Sequence, residues 1–239
     1  MGFKSLRAAV FQLLFTLGMY FLAILIMALA IYPGISICFY VWFKSVNYAL
    51  FLRVFFLSLS LTSAYFIYGI TLISLIGIIR ILFRLNLKEG EYRVATLGMA
   101  RWAFVNALYL LVSITFMDFV LLTPLASFFF RLMGAKVGRN VQINSKICAD
   151  LSLLEIGDEA VIGGHATVIC HSFERGRLIL KKVKIGKRAI IGLNSAVLAG
   201  AEIGEGALIA AGTVVGKNIK VAPHSVYPVR ENHSQSERH

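Results

Sequence analysis

The sequence predicts an α-helical membrane domain followed by a parallel β-helix. The membrane domain is expected to hold two spanning helices plus an embedded or interfacial helical segment. Two observations carry this reading. Long uncharged apolar runs fill the first 130 residues. After them, aliphatic residues recur six apart: Val137 and Ile143, then after a one-residue slip Ile156, Ile162 and Val168, and after an interruption Ile185, Ile191, Val197, Ile203, Ile209, Val215 and Val221. Such a period matches neither a helix, near 3.6, nor a strand, near 2. It matches a coil of three short flat sides, one hexad to a side. The aliphatic side chains stack inside, and Gly, Asn and Asp take the corners, where the backbone needs unusual angles. The expected divisions are a membrane domain over 1–130, a β-helix over 131–230 and a disordered tail over 231–239.

Composition agrees. Hydrophobic residues make up 58% of the 239 and charged residues only 15%, too apolar for an ordinary soluble chain. The net charge of +12 divides evenly: Lys+Arg 9 against Asp+Glu 3 before residue 131, and 15 against 9 after it. A basic surface beside a bilayer favours anionic headgroups and also suits a phosphorylated cofactor. No nucleic-acid module is visible, so nucleic acid is not an expected partner. Cys38, Cys148 and Cys170 have neither paired nor metal-ligand spacing, which implies a reducing compartment.

The first apolar run, Val10 to Tyr32, has 23 residues, enough to span about 30 Å of hydrocarbon. It follows a short basic start (Lys4, Arg7) and is long for a signal peptide, so a retained anchor is expected. Pro33-Gly34 should break the helix. Phe39, Tyr40, Trp42 and Phe43 resemble an interfacial belt. Val54 to Ile79 is a second uncharged span. Arg80, Arg84, Lys88, Arg93 and Arg101 follow it, and this basic connection is expected on the cytoplasmic side. The third stretch, 103–130, contains Asp118, costly at mid-membrane unless paired, and Pro124, expected to break the helix near its end. A re-entrant or interfacial arrangement would keep the β-helix in the cytoplasm with any acyl-CoA pool.

The hexads break at one loop. Glu174 to Lys184 intervene after Val168-Ile169-Cys170-His171-Ser172-Phe173, and Ile185 restores the phase. Insertions at a solenoid corner leave the stack undisturbed and often carry function. His165 and His171 lie six apart, at equivalent hexad positions on successive sides of one coil. An imidazole suits general-base work at neutral pH. Glu174 is near enough in sequence to orient the ring, and a backbone N–H at a glycine-rich corner could hold an oxyanion. His224, after Ala222-Pro223, reads as structural, and His233 and His239 fall in the tail.

These hexads resemble the hexapeptide-repeat acyltransferase family, which has a left-handed β-helix. Arg101-Trp102, Leu122-Thr123-Pro124, Arg131-Leu132-Met133-Gly134-Ala135-Lys136-Val137-Gly138, Asp150-Leu151, Ile156-Gly157-Asp158 and His171-Ser172-Phe173-Glu174-Arg175-Gly176 look like the membrane-associated acyltransferase-like modules at the C-terminal end of some non-ribosomal peptide synthetases. The resemblance covers roughly 90–221. It implies a homotrimer, acetyl-CoA lying in a cleft between β-helices, and a histidine base, His171 first and His165 second. It also implies cofactor contacts near Gly192, Ala210 and Gly212, with Lys217 reaching a CoA phosphate; no metal is expected. The expected function is a multi-pass acyltransferase of a bacterial inner membrane. It would move an acyl group, most simply acetyl, from acyl-CoA to a hydroxyl or amine of a lipid-linked or other membrane-associated acceptor. A non-catalytic trimeric scaffold is the alternative. A zinc hydratase sharing the fold would need a third histidine beside His165 and His171.

Overall fold

The structure is a computed structural model that describes residues 3–93 and 96–228. The chain divides into two compact units, residues 1–85 with 103–117, and residues 86–102 with 118–239. The predicted boundary at 130 therefore moves: the connection 86–102 and everything from Asp118 onward belong with the β-helix. The tail at 231–239, with His233 and His239, lies outside the described residues.

In the first unit, helix α1 (Phe3–Lys44) runs unbroken through Pro33 and folds back against α2 (Leu50–Leu82). The expected break at Pro33-Gly34 does not occur. A proline removes one helical hydrogen bond, which the rest of a 42-residue helix absorbs. Gly34 instead marks a close approach, since a Cβ there would lie 2.8 Å from that of Ala64 on α2. The aromatic belt serves the turn between these helices. Arg53 lays its guanidinium over the Trp42 ring at 4.3 Å, and Lys44 lies 5.8 Å from the Tyr40 ring, so each cation keeps an aromatic partner. Helix α3 (Leu97–Thr115) buries Val105, Leu108 and Val112, and α2 buries Leu72, Ile73 and Ile76. Tyr65 donates to the Thr115 carbonyl at 2.6 Å. All three helices are long and apolar enough to cross a membrane.

The stretch 103–130 is not one helix. After α3 come a short α4 (Met117–Val120) and α5 (Pro124–Leu132). Pro124 opens α5 rather than ending a helix, and the Thr123 hydroxyl caps it by accepting from Leu125 N–H at 3.2 Å. Asp118 on α4 pairs with Lys146 at 2.5 Å. Helix α5 covers the first coil. Phe129 and Phe130 are fully buried, and Arg131 donates to the Val137 and Gly138 carbonyls. A solenoid needs such a cap because its terminal coil has no neighbour on one side.

The second unit is a three-sided parallel β-helix. One side stacks β2 (Lys136–Val137), β4 (Leu154–Ile156), β9 (Val183–Ile185), β12 (Glu202–Ile203) and β15 (Lys220–Val221). The second stacks β3 (Gln142–Ile143), β5 (Val161–Ile162), β10 (Ile190–Ile191), β13 (Leu208–Ile209) and β16 (Val226–Tyr227). The third stacks β6 (Thr167–Val168), β11 (Ala196–Val197) and β14 (Val214–Val215). Ile191 pairs with Ile209, one coil of 18 residues on, whereas Ile162 pairs with Ile191, 29 on. The difference is the insertion, and it leaves the stack in register.

The insertion is a β-hairpin of β7 (His171–Glu174) and β8 (Arg177–Leu180), extended by β1 (Gly90–Arg93) into an antiparallel sheet ordered β1-β8-β7. The one-residue slip has its own cause. Between Ile143 and Ile156 no regular third-side strand forms. Cys148 makes an isolated bridge to Val168, Asp150 turns left-handed at φ 58, and a helical turn follows at Leu151–Leu153.

Coils pack at van der Waals distance, so the small residues after the aliphatic ones are steric requirements. A Cβ on Gly157 would lie 2.6 Å from Lys187 N. At the hairpin turn Gly176 (φ +74) a Cβ would meet nothing within 4 Å. Gly157→Ala should therefore destabilise through overpacking by about 1–3 kcal/mol. Gly176→Ala should cost only left-handed strain of about 1 kcal/mol. Thermal unfolding of the two variants side by side checks the order.

Candidate functional site

The slip and the insertion meet at one corner of the β-helix. His171 opens β7, where the chain leaves the coil. Its Nδ1 lies 2.6 Å from Oδ2 of Asp150, whose side chain is fully buried. A carboxylate can only accept, so Nδ1 carries the proton of this contact, and in the neutral ring Nε2 keeps its lone pair. Asp150 also accepts from Trp102 Nε1–H at 2.7 Å and from the Cys170 backbone N–H at 3.2 Å. Burying a carboxylate costs several kcal/mol unless donors surround it, and these donors come from α3, from the end of the third side and from the hairpin. The Trp102 ring stands edge-on to His171 (centroids 5.0 Å) and to Phe173 (5.4 Å). Phe173 is half exposed. The result is an oriented imidazole, one-fifth exposed, with an aromatic lip and a buried anion behind it. Such an imidazole can take a proton at Nε2 while the carboxylate balances the charge it gains.

The structure separates the other predicted residues. Glu174 does not orient the ring. Its carboxylate accepts from Lys217 Nζ at 2.6 Å and from the Ser172 hydroxyl at 3.0 Å. The Lys217 ammonium, then Ser172, hold its carboxyl below the ordinary carboxylate range. Lys217 is accordingly engaged by Glu174. His165 and His171 are not equivalent: His165 is an exposed left-handed corner residue at φ 54, and His171 is in a strand. His165 shares its corner with Asn194 and Gly212, which repeat the left-handed turn at φ 54 and φ 69 one and two coils on. Gly192 and Ala210 flank that corner, and a Cβ on Gly192 would lie 2.6 Å from Ala211 N. His224 is a left-handed corner residue of the last coil.

Two residues of this cluster, Asp150 and Trp102, do not stand out from spacing alone. Asp150 sits in the slip, and the slip itself was the available signal. Both also fall in stretches that carry the family resemblance, Arg101-Trp102 and Asp150-Leu151. Burial pushes the Cys148 thiol up to about 12, and burial with the nearby Asp150 charge pushes Cys170 well up, so neither is a ready nucleophile. Among the described residues no three His, Cys, Asp or Glu side chains gather within one chain.

Trp102→Phe keeps the ring contacts and deletes one donor to a buried anion. It should destabilise the protein by about 1.5–3 kcal/mol in chemical unfolding, and Asp150→Ala, which strips His171 and Trp102 of their acceptor, by at least as much. The Glu174 shift sets a pH prediction. Its carboxyl is depressed in the folded state, so the pair's contribution is present above the ordinary glutamate value and is lost as pH falls through the folded one. In Lys217→Met the NMR-detected titration of Glu174 should move up.

Residues 182–217 match the family described as the hexapeptide repeat of succinyl-transferase. YvoF of Bacillus subtilis (strain 168), named as a candidate acetyltransferase, is 32% identical over 87 residues, covering 35% of this chain and 51% of its own length. The delta-poly-L-ornithine synthetase of Acinetobacter baumannii (strain AB307-0294) is 24% identical over 124 residues, 52% of this chain but 9% of the synthetase. The chain thus spans about half of one relative and a small part of the other. Among solved structures, a hexapeptide-repeat-containing acetyltransferase from Vibrio cholerae O1 biovar eltor, complexed with acetyl coenzyme A, is 17% identical, covering 56% of this chain and 84% of that one, with a TM-score of 0.41. The family match covers residues 182–217, and the three-sided coils continue the same period on either side of it.

Proposed function

We propose that this protein is a membrane-bound acyltransferase that uses acyl-CoA, most simply acetyl-CoA, to modify a hydroxyl or amine of a membrane-associated acceptor. The observation that carries the reading is the buried Asp150 bonded to His171 Nδ1 and braced by Trp102. Nε2 of His171 takes the proton from the acceptor hydroxyl or amine as that atom attacks the thioester carbonyl. The tetrahedral intermediate collapses, the C–S bond breaks, and the imidazolium returns its proton to the departing thiolate. Asp150 holds the ring in one tautomer throughout and stabilises the imidazolium.

The donor would lie along the corner of Gly192, Ala210 and Gly212, where glycine and alanine leave backbone accessible. Lys217 would exchange Glu174 for a CoA phosphate, since both partners are anionic and the pair is solvent-exposed. Membrane attachment is supported by three long apolar helices whose outward faces are rich in exposed large residues, among them Phe21, Ile24, Phe51 and Leu61. The basic run from Arg80 to Arg101 favours a cytoplasmic connection in a bacterial inner membrane, and a homotrimer follows the family resemblance.

The test uses detergent-purified protein, labelled acetyl-CoA and a total membrane lipid extract. The expected result is saturable acetyl-CoA binding and label transfer that falls 10²- to 10⁴-fold in His171→Ala with binding retained. No acetyl-CoA binding at millimolar concentration by the folded protein would sink the proposal and favour a scaffold.

A further inference from the structure

The inserted sheet ends in a tip that breaks two local rules. Strands β7 and β8 are joined by Arg175 and Gly176 alone, at φ 46 and φ 74. A two-residue turn with both residues left-handed favours asparagine before glycine, because a short amide side chain can hydrogen-bond locally there. An arginine takes that place instead. One rung back, Arg93 of β1 is the cross-strand partner of Arg177 of β8, and Arg177 that of Glu174 of β7. Like charges directly opposite on a ladder repel. The nearby carboxylates do not relieve this. Glu174 is taken by Lys217 at 2.6 Å, and Glu91 by Arg177 at 2.9 Å. Among the described residues neither Arg93 nor Arg175 is ion-paired. All three arginines are exposed, and a Cβ on Gly176 would meet nothing within 4 Å, so the turn stands in open space. Costly local choices that packing does not require, gathered at one exposed place, point to a function there.

The chain indicates what the tip meets. Arg93 is four residues before Leu97, the first residue of α3. Leu97 is 90% exposed, and α3 is long and apolar enough to cross a membrane. A basic residue this close to the start of a span sits at headgroup level when the helix is inserted. Pairing with β8 sets Arg177 one rung of about 5 Å to the side, and the hairpin carries the Arg175 turn along with it. All three strands belong to one compact unit. The sheet thus widens a single boundary arginine into a patch of three guanidiniums.

We infer that this tip docks on anionic phospholipid headgroups, with Arg93 and Arg175 as the phosphate contacts and Arg177 beside them. Guanidinium forks match phosphate oxygens, and each basic side chain at an anionic bilayer surface adds to the attraction. A bilayer fits better than a lone anion because the three side chains spread across the open end of a sheet, where a row of headgroups meets them one by one. The inference rests on the proposed membrane attachment and not on acyl transfer. For that reaction it means that the strand opening with His171 is held at the surface where a membrane-borne acceptor presents its hydroxyl or amine.

Calorimetry on the full-length protein in non-ionic detergent tests it with short-chain phosphatidylglycerol, phosphatidylcholine of the same chain length, inorganic phosphate and acetyl-CoA. The wild type should bind phosphatidylglycerol about tenfold tighter than phosphatidylcholine, and Arg93→Gln and Arg175→Asn should each weaken that binding about fivefold. Thermal unfolding supplies the control that a merely structural role would fail. Arg175→Asn should raise the melting temperature, because asparagine suits the left-handed turn, and Arg93→Gln should not lower it, because a like-charge pair is removed. Equal binding of the two lipids, unchanged phosphatidylglycerol binding in the double variant, or a lowered melting temperature in Arg175→Asn overturns the inference. So does saturable binding of inorganic phosphate at the tip, or competition between acetyl-CoA and phosphatidylglycerol, which would assign the arginines to a free ion or to the acyl donor. Full-length protein that stays in solution without detergent would count against membrane attachment itself, whereas attachment with no anionic preference sinks this inference alone.

Discussion

Each coil of the β-helix must pair with the coils above and below it, residue for residue. A strand cannot lengthen by one without turning its aliphatic residues outward, and a flat side cannot accept an insertion without losing its ladder. Irregularity is confined to the corners. This chain has two large irregularities, the slip around Asp150 and the hairpin after His171, and the register brings both to one corner. The slip lets Asp150 take a left-handed turn with its carboxylate inside. The hairpin converts His171 from a corner residue into the first residue of a strand whose side chain faces that carboxylate. The polar centre is a product of the register rule acting on two exceptions.

Energetics then ties the site to elements remote in sequence. A buried carboxylate is tolerated only if its lone pairs are used, and Asp150 uses an indole N–H, a backbone N–H and an imidazole. Trp102 is 48 residues from Asp150. The connection that carries it is fastened to the hairpin by β1 and by the Glu89 and Glu91 contacts.

Much of the fold was legible because it rests on periodicity. Hexads announce coils, and the eleven residues from Glu174 to Lys184 account for the shift of register. Local signals were less dependable where packing decides. Pro33-Gly34 reads as a break, yet the helix continues because its 42 residues absorb the one hydrogen bond that Pro33 removes, while Gly34 gives α2 room at Ala64. Pro124 reads as an end but starts a helix once Thr123 caps it. In the site, His171 stands out beside the insertion. Its partner does not: Glu174 is close in sequence, but on an alternating strand it faces Lys217 and Ser172. Asp150 occupies a stretch marked by a lost phase and by the Asp150-Leu151 pair of the family resemblance, and neither says what the carboxylate meets. A reader of spacing sees the slip without seeing what it accommodates.

The central claim is that Asp150 fixes the His171 ring with its proton on Nδ1, leaving Nε2 as the basic atom. Nitrogen-15 NMR of histidine-labelled protein, at a pH where the ring is neutral, reads the tautomer directly. The account predicts a protonated Nδ1 and an unprotonated Nε2 for His171, sharply resolved from the exposed His165. A proton on Nε2, or the tautomer average of a free imidazole, would contradict it.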